Sequence, residues 1–375
     1  MTLLFVIDQV YIHGGIERVL SIKANYLALN PKNKIHIITT EQKNKEPLYS
    51  FNPQITFHDI DVNYHRNKSY YHPLNLIKLP KHILKLKKVI KKIKPSAIVV
   101  CSHSTDTYFI PFINKNIPKI KEFHFSKHIE KKYRLKQGLT LKKIFYKFAD
   151  YVESKYHKLI VLNVDEKNYY KTSNVVVIPN PLTFYPETTS NLSHKVVIAA
   201  GRIAPVKGYD TLIDIWEIVS KKEKEWQLHI YGAGTPAYVQ FLQDKINVKN
   251  LNKSILLKGA TNAVEKKMLS SSLFAMTSHN ECFPLVLLEA QACGLPIISF
   301  DCPHGPKNII TDNTGTLIPL YDKENYASSL LNMISNTKIL KEMGKNSRIN
   351  ALNYSLEEVM GEWQKMFNSL LNPKS

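Results

Sequence analysis

Two carboxylates eight positions apart, Glu281 and Glu289, fall in the stretch Ser278-His279-Asn280-Glu281-Cys282-Phe283-Pro284-Leu285-Val286-Leu287-Leu288-Glu289-Ala290-Gln291-Ala292-Cys293-Gly294-Leu295-Pro296. Polar residues come first, then an apolar run that stops at Gly294-Leu295-Pro296. Pro near the start and Gly past the end are ordinary helix boundaries. The pattern predicts a loop, a helix from Pro284 to Cys293 and a buried strand Pro296–Phe300. Glu281 then lies before the helix and Glu289 in its second turn. Between them is a helix N-terminus whose free N–H groups suit a phosphate. Acceptors on both sides of a phosphate site suit a ligand with hydroxyls at both ends of a diphosphate, which describes a nucleotide sugar. The bland alternative is an amphipathic helix with two surface glutamates.

A second constellation is Gly201-Arg202-Ile203-Ala204-Pro205-Val206-Lys207-Gly208, directly after the apolar run Lys195–Ala200. An Arg and a Lys five apart in a Gly-bounded loop can hold the two phosphates of a leaving diphosphate. Positive charge there stabilises the negative charge that builds as a glycosidic bond breaks. Other glycine turns follow strand-like runs at Gly14-Gly15, Gly232-Ala233-Gly234 and Gly259-Ala260. His103 and His124 also stand just after strand-like runs, at the sheet edge where open α/β proteins bind ligands.

Together these segments resemble the family 4 retaining glycosyltransferases, whose signature is E-x7-E and whose fold is GT-B. The continuation Asp301-Cys302-Pro303-His304-Gly305-Pro306 resembles a subgroup that makes surface polysaccharides. The resemblance implies that Glu281 faces the donor sugar and Glu289 the ribose. It implies that Arg202 and Lys207 hold the diphosphate, beside Phe283, Pro284 and Leu285 at the helix start. Gly14, Gly15 and Gly201 would line the phosphate region, Gly232 a nucleotide-site turn, Gly259 and Ala260 the base, and His124 would contact the donor sugar or the reaction centre. It further implies retention of anomeric configuration, no metal and no cofactor beyond the nucleotide sugar, with UDP the default base. Cys282 replaces the usual Gly and Asn308 a frequent Glu, departures that bear on sugar selectivity.

Of the 375 residues, 44% are apolar, and no run is long and apolar enough to span a membrane. The apolar start, Met1 to Asp8, lacks the basic flank of a signal peptide and reads as a strand. The four cysteines lack metal or C-x-x-C spacing and read as reduced, buried hydrophobes. The net charge of +20 is lopsided: residues 1–190 carry 31 Lys and Arg against 14 Asp and Glu, while 191–375 carry 20 against 17. Such asymmetry predicts a surface that meets an anionic partner.

Lys78–Lys94 reads as a basic amphipathic helix with Lys85, Lys88 and Lys92 on its charged side. A second basic and aromatic stretch contains Lys131, Lys132 and Arg134 and runs on through Leu141–Phe148. Both suit an anionic membrane surface, or a solvated face. Asp59-Ile60-Asp61 reads as a turn rather than a metal site.

The periodicity predicts two Rossmann-like, doubly wound α/β domains, and the resemblance sets them across a cleft. The expected boundaries are an acceptor-binding, membrane-facing domain at 1–181, a linker at 182–194 and a nucleotide-sugar domain at 195–353. Residues 354–375 would form a helix crossing back to the first domain. A further helix is expected to begin at Asn308. The implied activity is transfer of a hexose or N-acetylhexosamine to a lipid-linked or oligosaccharide acceptor, by a cytoplasmic enzyme at the inner membrane face. No nucleic acid is expected. The alternatives are a sugar-nucleotide epimerase of the same fold and a basic nucleic-acid-binding protein.

Overall fold

Short aliphatic runs, each followed by a loop and usually a helix, build two sheets whose strand pairs are all parallel. The structure, a computed structural model, describes residues 1–69, 72–128, 130, 134 and 140–372. These fall into two units, Met1–Pro181 with Val359–Ser375, and Leu182–Glu358.

In the first unit the strands are Thr2–Ile7 (β1), Lys34–Thr39 (β2), Thr56–Asp59 (β3), Ala97–Val100 (β4), Lys119–Glu122 (β5), Lys158–Val161 (β6) and Val175–Val177 (β7). Their order is β3-β2-β1-β4-β5-β6-β7. Leu3, Leu4, Val6, Ile98 and Val100 are fully buried, as strands covered on both faces require. The helix Leu356–Leu371 buries Val359, Met360, Trp363, Met366 and Phe367, one stripe at helical spacing.

In the second unit the strands are Val196–Ala200 (β8), Gln227–Tyr231 (β9), Ile255–Gly259 (β10), Leu273–Met276 (β11), Ile297–Phe300 (β12) and Gly315–Ile318 (β13). Their order is β10-β9-β8-β11-β12-β13. In both sheets the first strand in sequence lies between its successor and a later strand, so the strand order reverses there. The loops leaving β1 and β4, and those leaving β8 and β11, border these switch points.

One expectation is overturned and others are filled in. The segment expected as a linker, 182–194, lies along the second unit: Leu182 N–H donates to Tyr354 O (2.7 Å) and Ser190 N–H to Cys293 O (2.9 Å). No helix begins at Asn308; Pro306–Asn308 is a single 3-10 turn, in which the Asn308 amide donates to His304 O (2.6 Å). The chain then turns through Thr311 and Thr314 into β13. The helix Leu79–Ile93 buries His82, Leu86 and Ile90 against the first unit's core, so its apolar stripe is occupied by protein. Lastly, part of the positive charge in the first half is internal: Lys23, Lys119, Lys121 and Lys127 are all buried.

Asp59 and Asp61 form a turn: Asp61 N–H donates to Asp59 Oδ1 (3.2 Å), and Asp61 takes a left-handed φ of 47°. All four cysteines are free and buried.

Two glycines test the packing. A Cβ on Gly232 would stand 1.9 Å from Gly201 O, whereas one on Gly361 would meet nothing within 4 Å. Gly232→Ala should lower the urea midpoint by the equivalent of about 1–3 kcal/mol. Gly361→Ala, within a helix, should raise it by about 0.5–1 kcal/mol.

Candidate functional site

In the second unit, the loop after β8 and the loop after β11 are locked together. Pro205–Lys207 forms a 3-10 turn, and Gly208 (φ 63°) starts the helix Tyr209–Lys222. A Cβ on Gly208 would stand 2.2 Å from Thr277 O, so the chain passes there only without a side chain. Thr277 Oγ1 donates to Gly208 O (2.9 Å), and His279 N–H donates to Val206 O (2.8 Å). This brings Lys207 Nζ to 2.6 Å from Glu281 Oε1, with both side chains largely shielded. Glu281 is also bridged to His304, and a Cβ on Gly305 would lie 2.7 Å from Glu281 Cβ. The backbone around the first glutamate is therefore fixed from two directions.

The helix after Glu281 runs Leu285–Ala292, with Pro284 as an extended N-cap that offers no side-chain hydrogen bond. The N-cap side chain thus satisfies none of its first-turn N–H groups, although Leu287 N–H donates to Pro284 O (3.0 Å), and this positive helix end favours an anion. Phe283 is buried against Tyr354, ring centroids 5.6 Å apart. Just before Glu281, the buried atoms Ser278 Oγ, His279 Nδ1 and Asn280 Oδ1 have no hydrogen-bond partner. Buried polar atoms are rarely left unpaired, and a row of them marks where a ligand would supply the missing bonds.

Arg202 is exposed and has no ion-pair partner among the described residues, so its guanidinium is available. Gly201 N–H donates to Tyr231 O (3.0 Å) and Gly232 N–H to Gly259 O (2.8 Å), which draws the three glycine turns into one rim. Ala260 follows Gly259 on the exposed side of that rim. Glu289 is buried and accepts a hydrogen bond from Thr183 Oγ1 (2.7 Å). Thr183 lies in the segment read as linker, and nothing in the local sequence marks it as a partner.

In the first unit, the strand-end histidine sits on a buried charge relay. Glu122 is the last residue of β5, and its carboxylate accepts from His124 Nε2 (2.9 Å) and pairs with Lys23. Lys23 Nζ lies 4.4 Å from the centre of the Trp363 ring. Burial pushes the Glu122 carboxyl up, but Lys23 and His124 outweigh it and hold it at about 2. Burial also lowers His124 and pushes His103 well down, so both imidazoles are neutral at pH 7. The ionised Glu122 then fixes the proton of His124 on Nε2. Neither Lys23 nor Glu122 could be found from spacing, since they are 99 positions apart.

The Gly14-Gly15 loop differs from expectation. A Cβ on Gly14 would stand 2.1 Å from Glu17 Oε2, so the chain's own carboxylate lies against the start of the helix Gly15–Ala28. A helix N-terminus attracts an anion, and Glu17 in the first turn supplies one.

The basic-surface residues divide. Lys88 and Lys92 are exposed. Lys85 instead turns its ammonium to Ile60 O (2.6 Å). Arg134 is taken up by Glu130 and by both oxygens of Asp150 (2.9 and 2.6 Å), so it is internally satisfied rather than free to meet lipid. Lys131 and Lys132 lie outside the described residues. On the helix Thr140–Glu153, Ile144, Phe148 and Tyr151 are exposed beside Lys143 and Lys147.

Residues 184–350 match the family of group 1 glycosyl transferases. An uncharacterized glycosyltransferase of Haemophilus influenzae is 31% identical over 219 residues, 55% of this chain and 60% of its own length. The poly(ribitol-phosphate) alpha-N-acetylglucosaminyltransferase of Staphylococcus aureus is 33% identical over 220 residues, 56% of this chain and 42% of its own. The aligned regions thus span about half the length of these relatives. The solved structure of S. aureus TarM, in complex with fondaparinux, alpha-GlcNAc-glycerol and UDP, superposes with a TM-score of 0.74. It shares 17% identity and covers 98% of this chain and all of that one. The fold is that of the GT-B glycosyltransferases, two Rossmann-like domains.

The buried relay has a pH signature. A carboxyl depressed to about 2 contributes stability that is complete above its ordinary 4.5 and is lost as pH falls from there toward 2. The size is roughly 3 kcal/mol at 1.36 kcal/mol per pKa unit. The depressed histidines add a loss in the same direction below their ordinary 6.5. Hydrogen-exchange protection factors on residues 1–181, taken against the intrinsic rate at each pH, should therefore fall on acidification, and Glu122→Gln should flatten the step below pH 4.5.

Proposed function

We propose that this chain is a retaining glycosyltransferase that moves a sugar from a nucleoside diphosphate sugar, by default a UDP-sugar, to a saccharide acceptor of a surface polysaccharide. One juxtaposition carries the reading: Lys207 beside Glu281, next to an uncapped helix start and three unpartnered buried polar atoms. The family match over 184–350 and the UDP in the TarM structure support it.

On this reading, the diphosphate lies across the N-terminus of Leu285–Ala292, with Arg202 swinging in from the rim. Lys207, with three N–H donors, shifts from Glu281 to a phosphate oxygen. Glu281 is then released to accept hydroxyls of the transferred sugar, and Glu289 serves the ribose. As the bond to the anomeric carbon breaks, charge grows on the departing phosphate, where the two cations and the helix dipole stabilise it. This pair takes the place of a metal, so none is required. Of the donor contacts expected from sequence, Gly14-Gly15 is the least supported, because Glu17 already lies there.

The acceptor is lipid-linked and the enzyme peripheral on the membrane face. Lys88, Lys92 and the exposed Ile144, Phe148 and Tyr151 are the surface that supports this. No described helix is long and apolar enough to cross a membrane.

A melting screen over UDP- and GDP-sugars should pick out the donor, which at a hundred times its Kd adds about 2.7 kcal/mol. Arg202→Ala and Glu281→Ala should cut kcat by on the order of 100–1,000-fold with unchanged melting. No shift with any nucleotide sugar, or unchanged rates in both variants, would remove the proposal. Anionic phosphatidylglycerol vesicles should sediment the protein at low salt, and Lys88→Glu with Lys92→Glu should weaken this. Equal pelleting of the double variant would remove the membrane assignment.

A further inference from the structure

The carboxylate expected at the ribose has a partner supplied from far along the chain. Glu289 is buried, and Thr183 Oγ1 donates to its Oε1 (2.7 Å). Thr183 is half-buried and lies just past Pro181, in the segment that leads from the first unit into the second.

The hydroxyl reaches Glu289 because that segment is held along the helix Leu285–Ala292. Arg348 donates to both Pro186 O and Ala292 O, so one guanidinium ties the segment to the helix's C-terminal end, where a cation suits the dipole. The same guanidinium lies 3.4 Å from the centre of the Tyr185 ring. Ser190 N–H donates to Cys293 O (2.9 Å). A Cβ on Gly294 would stand 3.0 Å from Thr189 Cβ, so the segment packs onto the turn that ends the helix. The ties advance in step, Thr183 to Glu289, Pro186 to Ala292 and Ser190 to Cys293. On the other side of Thr183, Leu182 N–H is bound to Tyr354 O (2.7 Å). The backbone at Thr183 is therefore fixed before and after it.

A donor held in this way has a consequence for binding. A glutamate side chain is long and rotates freely, and ordering it when a ligand arrives lowers affinity. A hydroxyl that already holds one of a carboxylate's roughly four acceptor positions removes part of that cost. The one proton of the Thr183 hydroxyl goes to Glu289, so Thr183 acts through the carboxylate rather than by donating to the ligand. An acceptor so oriented favours a ligand that brings a hydroxyl to it over one with hydrogen in that place.

We propose that Thr183 is a positioning residue: it orients Glu289 toward a ribose hydroxyl and so sets the discrimination of ribonucleotides from deoxyribonucleotides. It rests on the nucleotide-sugar reading above, in which Glu289 serves the ribose.

Calorimetric titration of the full chain tests this, with UDP and GDP as probes, followed by the 2′-deoxy and 3′-deoxy forms of whichever binds. The unaltered protein should bind the ribonucleotide about tenfold more tightly than at least one deoxy form, the size of one hydrogen bond to a carboxylate. Thr183→Val, nearly the same in shape, should weaken the ribonucleotide about tenfold and leave that deoxy form nearly unchanged, so that the preference collapses. Thr183→Ala should do the same, while Thr183→Ser, which keeps the hydroxyl, should keep the preference. A hydroxyl that merely satisfied a buried carboxylate would alter the melting temperature and leave the preference intact. The proposal is overturned if the preference survives in the Val and Ala variants, if the Ser variant loses it as they do, or if the unaltered protein shows none. Failure of the unaltered protein to bind either UDP or GDP would instead remove the nucleotide-sugar reading, and this inference with it.

Discussion

A parallel sheet wrapped in helices has almost no free surface for chemistry. Both faces are covered, and only the edge where strands end is open, most of all where neighbouring loops diverge. This constraint governs both units. β8 lies between β9 and β11, and the loops leaving β8 and β11 carry Arg202, Lys207 and Ser278 to Glu281. β1 lies between β2 and β4, and the loops there carry Gly14, Gly15 and Ser102 to Asp106. The apolar strands serve mainly to fix where those loops begin.

The strand-end loops of the two units differ in how much of their polar capacity is already used. In the first, charged groups near the strand ends are buried and matched. Lys23 and His124 serve Glu122, Lys127 serves Glu153, and Lys121 donates to Ser102 O (2.5 Å) and Glu122 O (2.7 Å). Burial lowers Lys121 to about 8. Removing such charges from water is costly, and only close geometry offsets the penalty. In the second unit Lys207 and Glu281 are paired, but Arg202 remains exposed and the buried side-chain atoms Ser278 Oγ, His279 Nδ1 and Asn280 Oδ1 remain without a hydrogen-bond partner. One arrangement fixes side chains in advance; the other leaves bonding capacity for a visitor.

What the sequence revealed followed its length scale. The apolar runs Met1 to Asp8, Lys195–Ala200 and Pro296–Phe300 are the strands Thr2–Ile7, Val196–Ala200 and Ile297–Phe300, because a buried strand is a local apolar signal. The loop with Arg202 and Lys207 and the stretch around Glu281 were also legible, since each is contiguous. Pairs formed across the fold were not. Thr183 meets Glu289 from 106 positions away, and Trp363 covers Lys23 from another helix altogether. The alternation Lys119-Ile120-Lys121-Glu122 contains three charged residues yet is wholly buried, and only the carbonyls and counter-charges around it explain that. Glu17 over Gly14 escaped for a related reason, since a helix start that can hold a foreign phosphate can equally hold a native carboxylate.

The first unit is discontinuous, because its last stripe of core residues, Val359 to Phe367, follows the whole of the second unit in the chain. During synthesis the ribosome finishes residues 182–358 as one uninterrupted piece, which can acquire its structure while the earlier piece still lacks a wall. Until Trp363 emerges, the ammonium of Lys23 has no ring to cover it. Premature termination anywhere in the closing helix would thus damage the domain made first, not the one made last.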